Sequence, residues 1–262
     1  MACYHPWWKD RQVLPCGQCR GCRAAYHREW SARCVHEACM HEVNSFVTLT
    51  YDDEHLPVGG SLDLEAVPVL IRALRKRGKK VRYFYCGEYG ERSGRPHYHA
   101  LLFGLDFPDK KLYSVRNGYP VFRSRELECV WKSGLCEIGS VTPSSAGYVT
   151  RYISKRITGS WAKAKYGDRV PEFGRMSRNP GIGAAWIDKY GFEVFAQDRC
   201  HVNGSFVKPP RYYVNRAGVN ERANLEMARF LVLKPEDNTP ERLEVREVVH
   251  AAKDSLLRKG SL

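Results

Sequence analysis

The chain has 262 residues, a length that fits one large domain or one domain with sizeable additions. Hydrophobic residues make up 43% of the sequence and charged residues 27%, which allows a packed core and excludes global disorder. The formal net charge of +13 favours a polyanionic partner, because each phosphate that Lys or Arg neutralises releases condensed counterions. Nucleic acid is the first candidate and an anionic membrane surface the second. The 15 Tyr side chains, which offer faces for base stacking, favour nucleic acid.

The sequence has no run of about 18 apolar residues, and residues 1–10 lack the apolar region of a secretory signal. We therefore expect a cytoplasmic protein that does not enter a membrane. The ten cysteines fit this expectation, since clustered cysteines in a reducing compartment are more often metal ligands than disulfides.

The first part of the chain predicts helices that alternate with strands. In chain order, the predicted elements are a helix that ends near residue 38, a strand over 46–51, a loop over 52–61, a basic helix over 67–77 and strands over 81–88 and 97–103. The connection between the last two strands has hairpin length, so we expect that pair to be antiparallel.

The second part of the chain is less regular in its sequence pattern. Residues 110–139 alternate short β-like runs with turns, and residues 146–157 predict a helix. The stretch 160–216 is rich in Gly, Pro and basic residues, which predicts ordered loops with little regular structure. Thr239-Pro240 predicts the start of a final helix that ends near residue 258. Short strands among long helices predict an α+β fold with an antiparallel sheet.

A pair of histidines indicates a metal site. His97 and His99 alternate along a predicted strand, so both side chains point to the same face. Glu88 ends the preceding strand and offers a carboxylate across the hairpin. Imidazole and carboxylate ligands suit Mn²⁺ or Mg²⁺ in a site with positions left for phosphate oxygens. The alternative is two histidines that are merely hydrogen-bonded on a half-buried strand.

A second pattern lies on the predicted helix. Tyr148, Tyr152 and Lys155 stand at i, i+4 and i+7, within about 60° of arc on one side of a helix. A tyrosinate can attack a phosphodiester and retain the 5′-phosphate, and a nearby lysine can stabilise the developing charge. The alternative is an ordinary amphipathic helix with tyrosines at the margin of its buried face.

The N-terminal cysteines form a third pattern. Cys3, Cys16, Cys19 and Cys22 supply four thiolates, which is enough for one tetrahedral Zn²⁺. The spacing departs from the usual two-plus-two arrangement, so three other residues stay open as ligands: His5, Cys34 and Cys39. Free thiols or a redox role are the alternatives to zinc.

These residues together resemble the HUH superfamily of rolling-circle replication endonucleases, in which two histidines flank one hydrophobic residue. The segments that carry the resemblance are Phe46-Val-Thr-Leu-Thr50, Gly87-Glu88, His97-Tyr98-His99 and Tyr152-Ile-Ser-Lys155, with Tyr148 as the second tyrosine of a two-tyrosine class. The chain is also similar to the replication initiation proteins of gokushovirus-type microviruses, which are single-stranded DNA bacteriophages. That similarity rests on residues 15–23, 176–183 and 208–213.

The resemblance implies a ferredoxin-like antiparallel sheet with the histidines on a central strand and the tyrosine helix beside it. It implies metal-dependent nicking of one origin strand through Tyr152 or Tyr148, with His97, His99 and Glu88 as metal ligands. The implied partners are single-stranded origin DNA, the double-stranded replicative form, and a helicase and polymerase of the host. The implied location is the cytoplasm of the bacterial host.

Two other classes remain open at this stage. A non-catalytic, zinc-stapled nucleic-acid-binding module would explain the charge and the cysteines, and a metallohydrolase would use the histidines to activate water. For the domain organisation we predict three parts: a cysteine-rich segment and helix over 1–45, an endonuclease core over 46–160, and a basic, loop-rich and helical part over 161–262.

Overall fold

The computed structural model of the protein describes residues 3–10, 12–155, 160–232 and 234–259, except for the side chains of residues 152–155, 160, 161, 235 and 257–259. The helices are α1 (Arg20–Ala38), α2 (Ala66–Lys76), α3 (Arg125–Trp131), α4 (Pro143–Lys155), α5 (Ser160–Tyr166), α6 (Ala184–Gln197), α7 (Arg211–Val214), α8 (Val219–Leu231) and α9 (Pro240–Lys259). The strands are β1 (Trp7–Lys9), β2 (Gln12–Leu14), β3 (Asn44–Thr50), β4 (Arg82–Tyr89), β5 (Pro96–Phe103), β6 (Lys111–Arg116), β7 (Tyr119–Arg123), β8 (Cys136–Gly139), β9 (Phe173–Met176), β10 (Cys200–Val202) and β11 (Ser205–Val207).

Seven strands form one antiparallel sheet in the order β6-β7-β8-β3-β5-β4-β9. The predicted α+β class with an antiparallel sheet, flanking helices and an N-terminal cysteine cluster is confirmed. The predicted hairpin is also confirmed, because β4 and β5 pair antiparallel with Glu88 directly opposite His97. Strand β5, which carries both histidines, lies inside the sheet between β3 and β4.

Helices cover both faces of the sheet. Helix α2 buries Val67, Leu70, Ile71 and Leu74, an i, i+3, i+4, i+7 stripe that packs on the face formed by the odd-numbered residues of β3. Each such side chain contributes roughly 1.5–3 kcal/mol by leaving water. On the opposite face, α1 and α4 pack over β4 and β5, with Val149 of α4 fully buried.

The prediction for residues 160–216 was wrong, since this stretch contains α5, β9, α6, β10, β11 and α7. Its glycines and prolines lie between the elements instead of filling them. Gly183 takes a positive φ of 78° immediately before α6, where an added Cβ would collide with the hydroxyl of Tyr213. Helix α6 then buries Ala184, Ile187, Gly191 and Val194, a helical spacing that the composition of the stretch concealed.

Strand β9 pairs with β4, so this later stretch contributes to the same sheet as the predicted core. The domain boundaries at 45/46 and 160/161 stay predictions. None of the helices in the described ranges combines the length and apolarity needed to cross a membrane.

Candidate active site

The sheet register places three predicted ligands on one face. Glu88 is opposite His97 in the β4–β5 pair, and His99 is the next residue on the same face of β5. On the other side of β5, Thr48 is opposite His99. Tyr98 points the other way and is fully buried, with its hydroxyl accepting a hydrogen bond from the backbone N–H of Asp63 at 2.8 Å.

The three ligand side chains converge on one point. Nε2 of His97 lies 2.6 Å and Nε2 of His99 2.8 Å from the same oxygen, Oε1 of Glu88. The ligand atoms of all three residues lie within 4.8 Å of one another, so they form a group able to hold a metal ion. The second carboxylate oxygen, Oε2, is buried and has no hydrogen-bond partner among the described residues.

The other ring nitrogens of the histidines have partners that fit a metal centre. Nδ1 of His97 lies 3.2 Å from the carbonyl oxygen of Arg95, and Nδ1 of His99 lies 3.0 Å from the hydroxyl of Thr48. When each Nδ1 donates its proton to that oxygen, the lone pair of each Nε2 faces the carboxylate. Metal-ligating histidines are usually held in this way. The residues present therefore fit a divalent cation.

The charge state of the group is set by burial and by the carboxylate. Burial raises the pKa of Glu88, but hydrogen bonds from His97 and His99 outweigh it and lower that pKa to about 2. Burial lowers the pKa of His97, but the Glu88 carboxylate outweighs this and raises it above the usual value. Burial lowers the pKa of the more deeply placed His99. A permanent anion thus lies between two imidazoles, an arrangement that suits a cation.

Helix α4 brings Tyr148 to this group. Its first turn is fixed by Thr142 and Ser145, whose hydroxyls each accept a hydrogen bond from the other's backbone N–H. The hydroxyl of Tyr148 lies 3.3 Å from Oε1 of Glu88, and its ring meets the ring of His99 edge to face at 4.9 Å. Tyr148 is 38% exposed, so its hydroxyl is accessible from outside.

Tyr152 and Lys155 lie in the last part of α4, but their side chains are outside the described part of the chain. By helix geometry, the backbone of Tyr152 is about 6 Å from that of Tyr148 along the helix axis. Helix α1 supports α4 from behind, since Nε2 of His27 lies 2.7 Å from the carbonyl oxygen of Gly147.

A cleft of about 530 Å³ opens beside the metal-ligand group. Its floor includes Phe46 and Thr48 of β3, one side includes His99 and Tyr148, and the opposite rim includes Tyr119 at the β6–β7 turn. Tyr119 is 63% exposed and offers an aromatic face next to the candidate metal ligands. Sequence reasoning missed both Thr48 and this cleft, because their positions depend on the order of strands in the sheet.

A second group able to hold a metal ion lies near the N-terminus. Cys3, Cys16, Cys19 and Cys22, the cysteine cluster, have their sulfurs within 4.8 Å of one another. Burial raises the pKa of Cys19, but the backbone N–H groups of Tyr4 and Cys22 outweigh it and lower that pKa to about 6.

The three further residues left open as ligands lie elsewhere. His5 forms an ion pair with Glu247 at 2.7 Å. Cys34 is fully buried in the core between α1 and the sheet, and Cys39 follows the far end of α1.

The chain is similar to known viral replication proteins. The sequence model of a family of replication-associated proteins, described under the name ORF2, matches residues 44–157, which include Glu88, His97, His99 and both tyrosines of α4. No solved structure matches the chain.

Three curated relatives carry related names. Replication-associated protein VP4 of Bdellovibrio phage phiMH2K is 36% identical over 214 residues, which cover 77% of this chain and 66% of the relative. Replication-associated protein ORF2 of Spiroplasma virus 4 is 32% identical over 218 residues, covering 78% and 67%. Replication-associated protein ORF4 of Chlamydia phage 1 is 28% identical over 211 residues, covering 76% and 52%. The chain thus spans about two thirds of the first two relatives and about half of the third. These matches confirm the resemblance to the replication proteins of gokushovirus-type microviruses, and the chain belongs to the ORF2 family of replication-associated proteins.

Proposed function

We propose that the protein initiates replication by nicking one strand of DNA with a tyrosine, in a reaction that depends on a divalent cation. The observation that carries the proposal is the position of the Tyr148 hydroxyl, 3.3 Å from the Glu88 oxygen that both histidines contact. A nucleophile and a group of metal ligands thus share one accessible place beside a cleft. The names of the relatives support a role in DNA replication.

The reaction is a transesterification. The tyrosine oxygen attacks the scissile phosphorus, the bond from phosphorus to the 3′ oxygen breaks, and that oxygen takes up a proton as a free 3′-hydroxyl. The 5′-phosphate remains on the tyrosine. The reverse attack by a 3′-hydroxyl releases the tyrosine and rejoins the ends, so the phosphodiester count is conserved throughout. The free 3′-hydroxyl is the primer for rolling-circle synthesis.

His97, His99 and Glu88 are proposed to hold the cation, with Mg²⁺ or Mn²⁺ as the ion that this ligand set suits. When bound, the ion polarises and orients the scissile phosphate. Glu88 also accepts a hydrogen bond from Tyr148, which orients that phenol toward the phosphate position. Thr48 fixes the ring of His99.

The roles of the other α4 residues rest on helix spacing and on the resemblance. Tyr152 is proposed to make the first cut and Tyr148 the second, after one round of synthesis. Lys155 is proposed to stabilise charge that develops on the phosphate. All three positions fall within the stretch matched by the family model.

The cleft beside Tyr148 is the proposed seat of the strand. Its aromatic rim at Tyr119 offers a surface for base stacking, and the net charge of +13 favours a polyanion. The proposed partners are single-stranded origin DNA, the double-stranded replicative form, and a helicase and polymerase of the host, since a nicked circle supplies a primer but no unwinding or synthesis.

The test uses single-stranded oligonucleotides that tile the genome encoding the chain. Incubation with protein and Mn²⁺ should produce a protein species whose intact mass has increased by one 5′-phosphorylated DNA fragment. Omitting the metal, or adding a chelator, should remove that species.

Two outcomes would contradict the proposal. Binding with neither cleavage nor adduct would indicate a non-catalytic nucleic-acid-binding module. Cleavage without an adduct would indicate a metallohydrolase in which water, instead of a tyrosine, attacks the phosphate.

A further inference from the structure

The sulfur positions of the cysteine cluster match a tetrahedral metal site. Sγ of Cys16 lies 4.0 Å from Sγ of Cys22, and Sγ of Cys19 lies 4.0 Å from Sγ of Cys3. A zinc ion with Zn–S bonds of about 2.3 Å requires sulfurs about 3.8 Å apart. All ten cysteines are free of disulfide bonds, so the closeness of these sulfurs is not due to a covalent link.

The backbone around the cluster points its N–H groups at the sulfurs. Sγ of Cys19 accepts from the N–H of Tyr4 at 3.3 Å and of Cys22 at 3.4 Å. Sγ of Cys3 accepts from Cys16 at 3.2 Å, and Sγ of Cys16 accepts from Cys19 at 3.3 Å. Such donors stabilise negative charge on sulfur, which is the form that binds a metal.

We propose that the cysteine cluster binds one structural Zn²⁺ through four thiolates, and that this ion holds the N-terminal segment against helix α9. Four protein ligands leave no open coordination position, so the site is structural and not catalytic. It is separate from the His–Glu group of the sheet, whose ligands are nitrogen and oxygen. The proposal does not depend on the nicking reaction.

The contacts to α9 come from the residues beside the ligands. The hydroxyl of Tyr4 lies 3.0 Å from Nδ1 of His250, and Nε2 of His5 lies 2.7 Å from Oε2 of Glu247. These two residues directly follow Cys3, so their positions depend on where Cys3 is held. Strands β1 and β2, which connect Cys3 to Cys16, are three residues each and leave Trp8 72% exposed. A segment with so little apolar burial needs another source of order, and a metal supplies it.

The first test measures the metal in the full chain, expressed without added metal and purified without chelators. Elemental analysis should find about one zinc per chain. Exchange with Co²⁺ should produce the sulfur-to-cobalt charge-transfer band and the intense visible bands of a tetrahedral ion. The band from sulfur assigns the ion to cysteines, because the His–Glu group has none.

Variants then identify the ligands. Cys16→Ser combined with Cys22→Ser should lose the zinc, whereas Cys129→Ser, which removes an exposed thiol of α3, should keep it. His97→Ala combined with His99→Ala should also keep the zinc. If the double cysteine variant does not fold, the cobalt spectrum of the unchanged chain decides. Folded wild-type protein with neither zinc nor the sulfur band overturns the proposal, and so does zinc that persists in a folded double cysteine variant.

Hydrogen exchange tests the contact with α9. Removal of zinc by a chelator should speed exchange in α9 on the order of tenfold, while exchange in α2, which packs on the sheet, should stay unchanged. Unchanged exchange in α9 after full removal of zinc would overturn the proposed link between the ion and that helix.

Discussion

The hydroxyl of Tyr148 lies 3.3 Å from Oε1 of Glu88, the oxygen on which Nε2 of both His97 and His99 converge. The two residues are 60 positions apart in the sequence and meet because α4 crosses the face of β4 and β5 that carries the metal ligands. A phenol beside a carboxylate of low pKa is held as a hydrogen-bond donor. When a cation and a phosphate enter, the same phenol is close to the reacting phosphorus.

The first prediction separates the two tyrosines of α4. Tyr152→Phe should lose most initial nicking, because Tyr152 is the proposed first nucleophile. Tyr148→Phe should nick once but fail to release unit-length circles, because it lacks the second nucleophile. The measurements are covalent adduct on a one-site oligonucleotide and circular product in a replication assay.

The reverse pattern, with adduct lost in Tyr148→Phe alone, would assign the first cut to Tyr148. Adduct that persists in the double Phe variant would mean that neither tyrosine is the nucleophile.

A second prediction concerns the metal ligands. His97→Ala combined with His99→Ala should lower the nicking rate by at least about a hundredfold, because a Lewis acid contributes several kcal/mol at the transition state. DNA binding in a gel-shift assay should change little, since binding rests on basic residues across the surface. His55→Ala, which removes an exposed histidine paired with Asp52, is the control. Nicking at the wild-type rate in the double variant would show that the site is misassigned.

Thr48→Val should weaken divalent-cation affinity roughly 10–100-fold, because it removes the hydroxyl that holds Nδ1 of His99. The measurement is the Mn²⁺ concentration that gives half-maximal nicking. Thr50→Val is the matched control on the same strand, since it loses a hydrogen bond to the carbonyl of Leu135 instead. Equal Mn²⁺ requirements in both variants would contradict the proposed role of Thr48.

Tyr119→Ala should weaken binding of single-stranded DNA about tenfold, because stacking of one base on an aromatic ring contributes about 1–3 kcal/mol. Tyr113→Ala on the same hairpin is the control, since Tyr113 is 54% exposed and packs against Arg123. Fluorescence anisotropy with a short labelled oligonucleotide measures both. A larger loss in Tyr113→Ala would place the strand on another part of the hairpin.

The pH dependence of stability should report His36 of α1. Burial lowers its pKa from 6.5 to about 4, and its ring stacks on Trp186 while Nδ1 lies 2.9 Å from the Tyr213 hydroxyl. Because the folded pKa is below the unfolded one, the neutral form favours folding. This contribution is complete above about pH 6.5 and is lost as the pH falls towards 4.

The loss should approach roughly 3 kcal/mol, because the folded and unfolded pKa values differ by about 2.5 and each pKa unit corresponds to about 1.36 kcal/mol. Urea unfolding at several pH values should show a flatter acid dependence for His36→Gln than for the unchanged chain. His55→Gln, at an exposed position, is the control and should keep the full dependence. Parallel curves for His36→Gln and the unchanged chain would contradict the prediction.

Local periodicity was enough for the elements that build the site. The period-two pattern of His97 and His99 and the hairpin length of 89–96 predicted the paired strands, since side chains alternate in any strand. The helical spacing around Tyr148 predicted α4 because every third or fourth residue shares a face. Composition misled where Gly and Pro mark the boundaries of elements, as before α6, and only Leu225 of α8 is buried, so that helix gives a weak signal.

The sequence by itself determined the ligand types, their strand and helix, and the family, because these follow from local spacing and from similarity along the chain. Only the tertiary structure decided that Thr48 supports His99, that Tyr148 reaches Glu88, and that a cleft rimmed by Tyr119 opens beside them. The reason is that strand order and helix packing join residues far apart in the chain, and no local pattern encodes which strand lies next to β5.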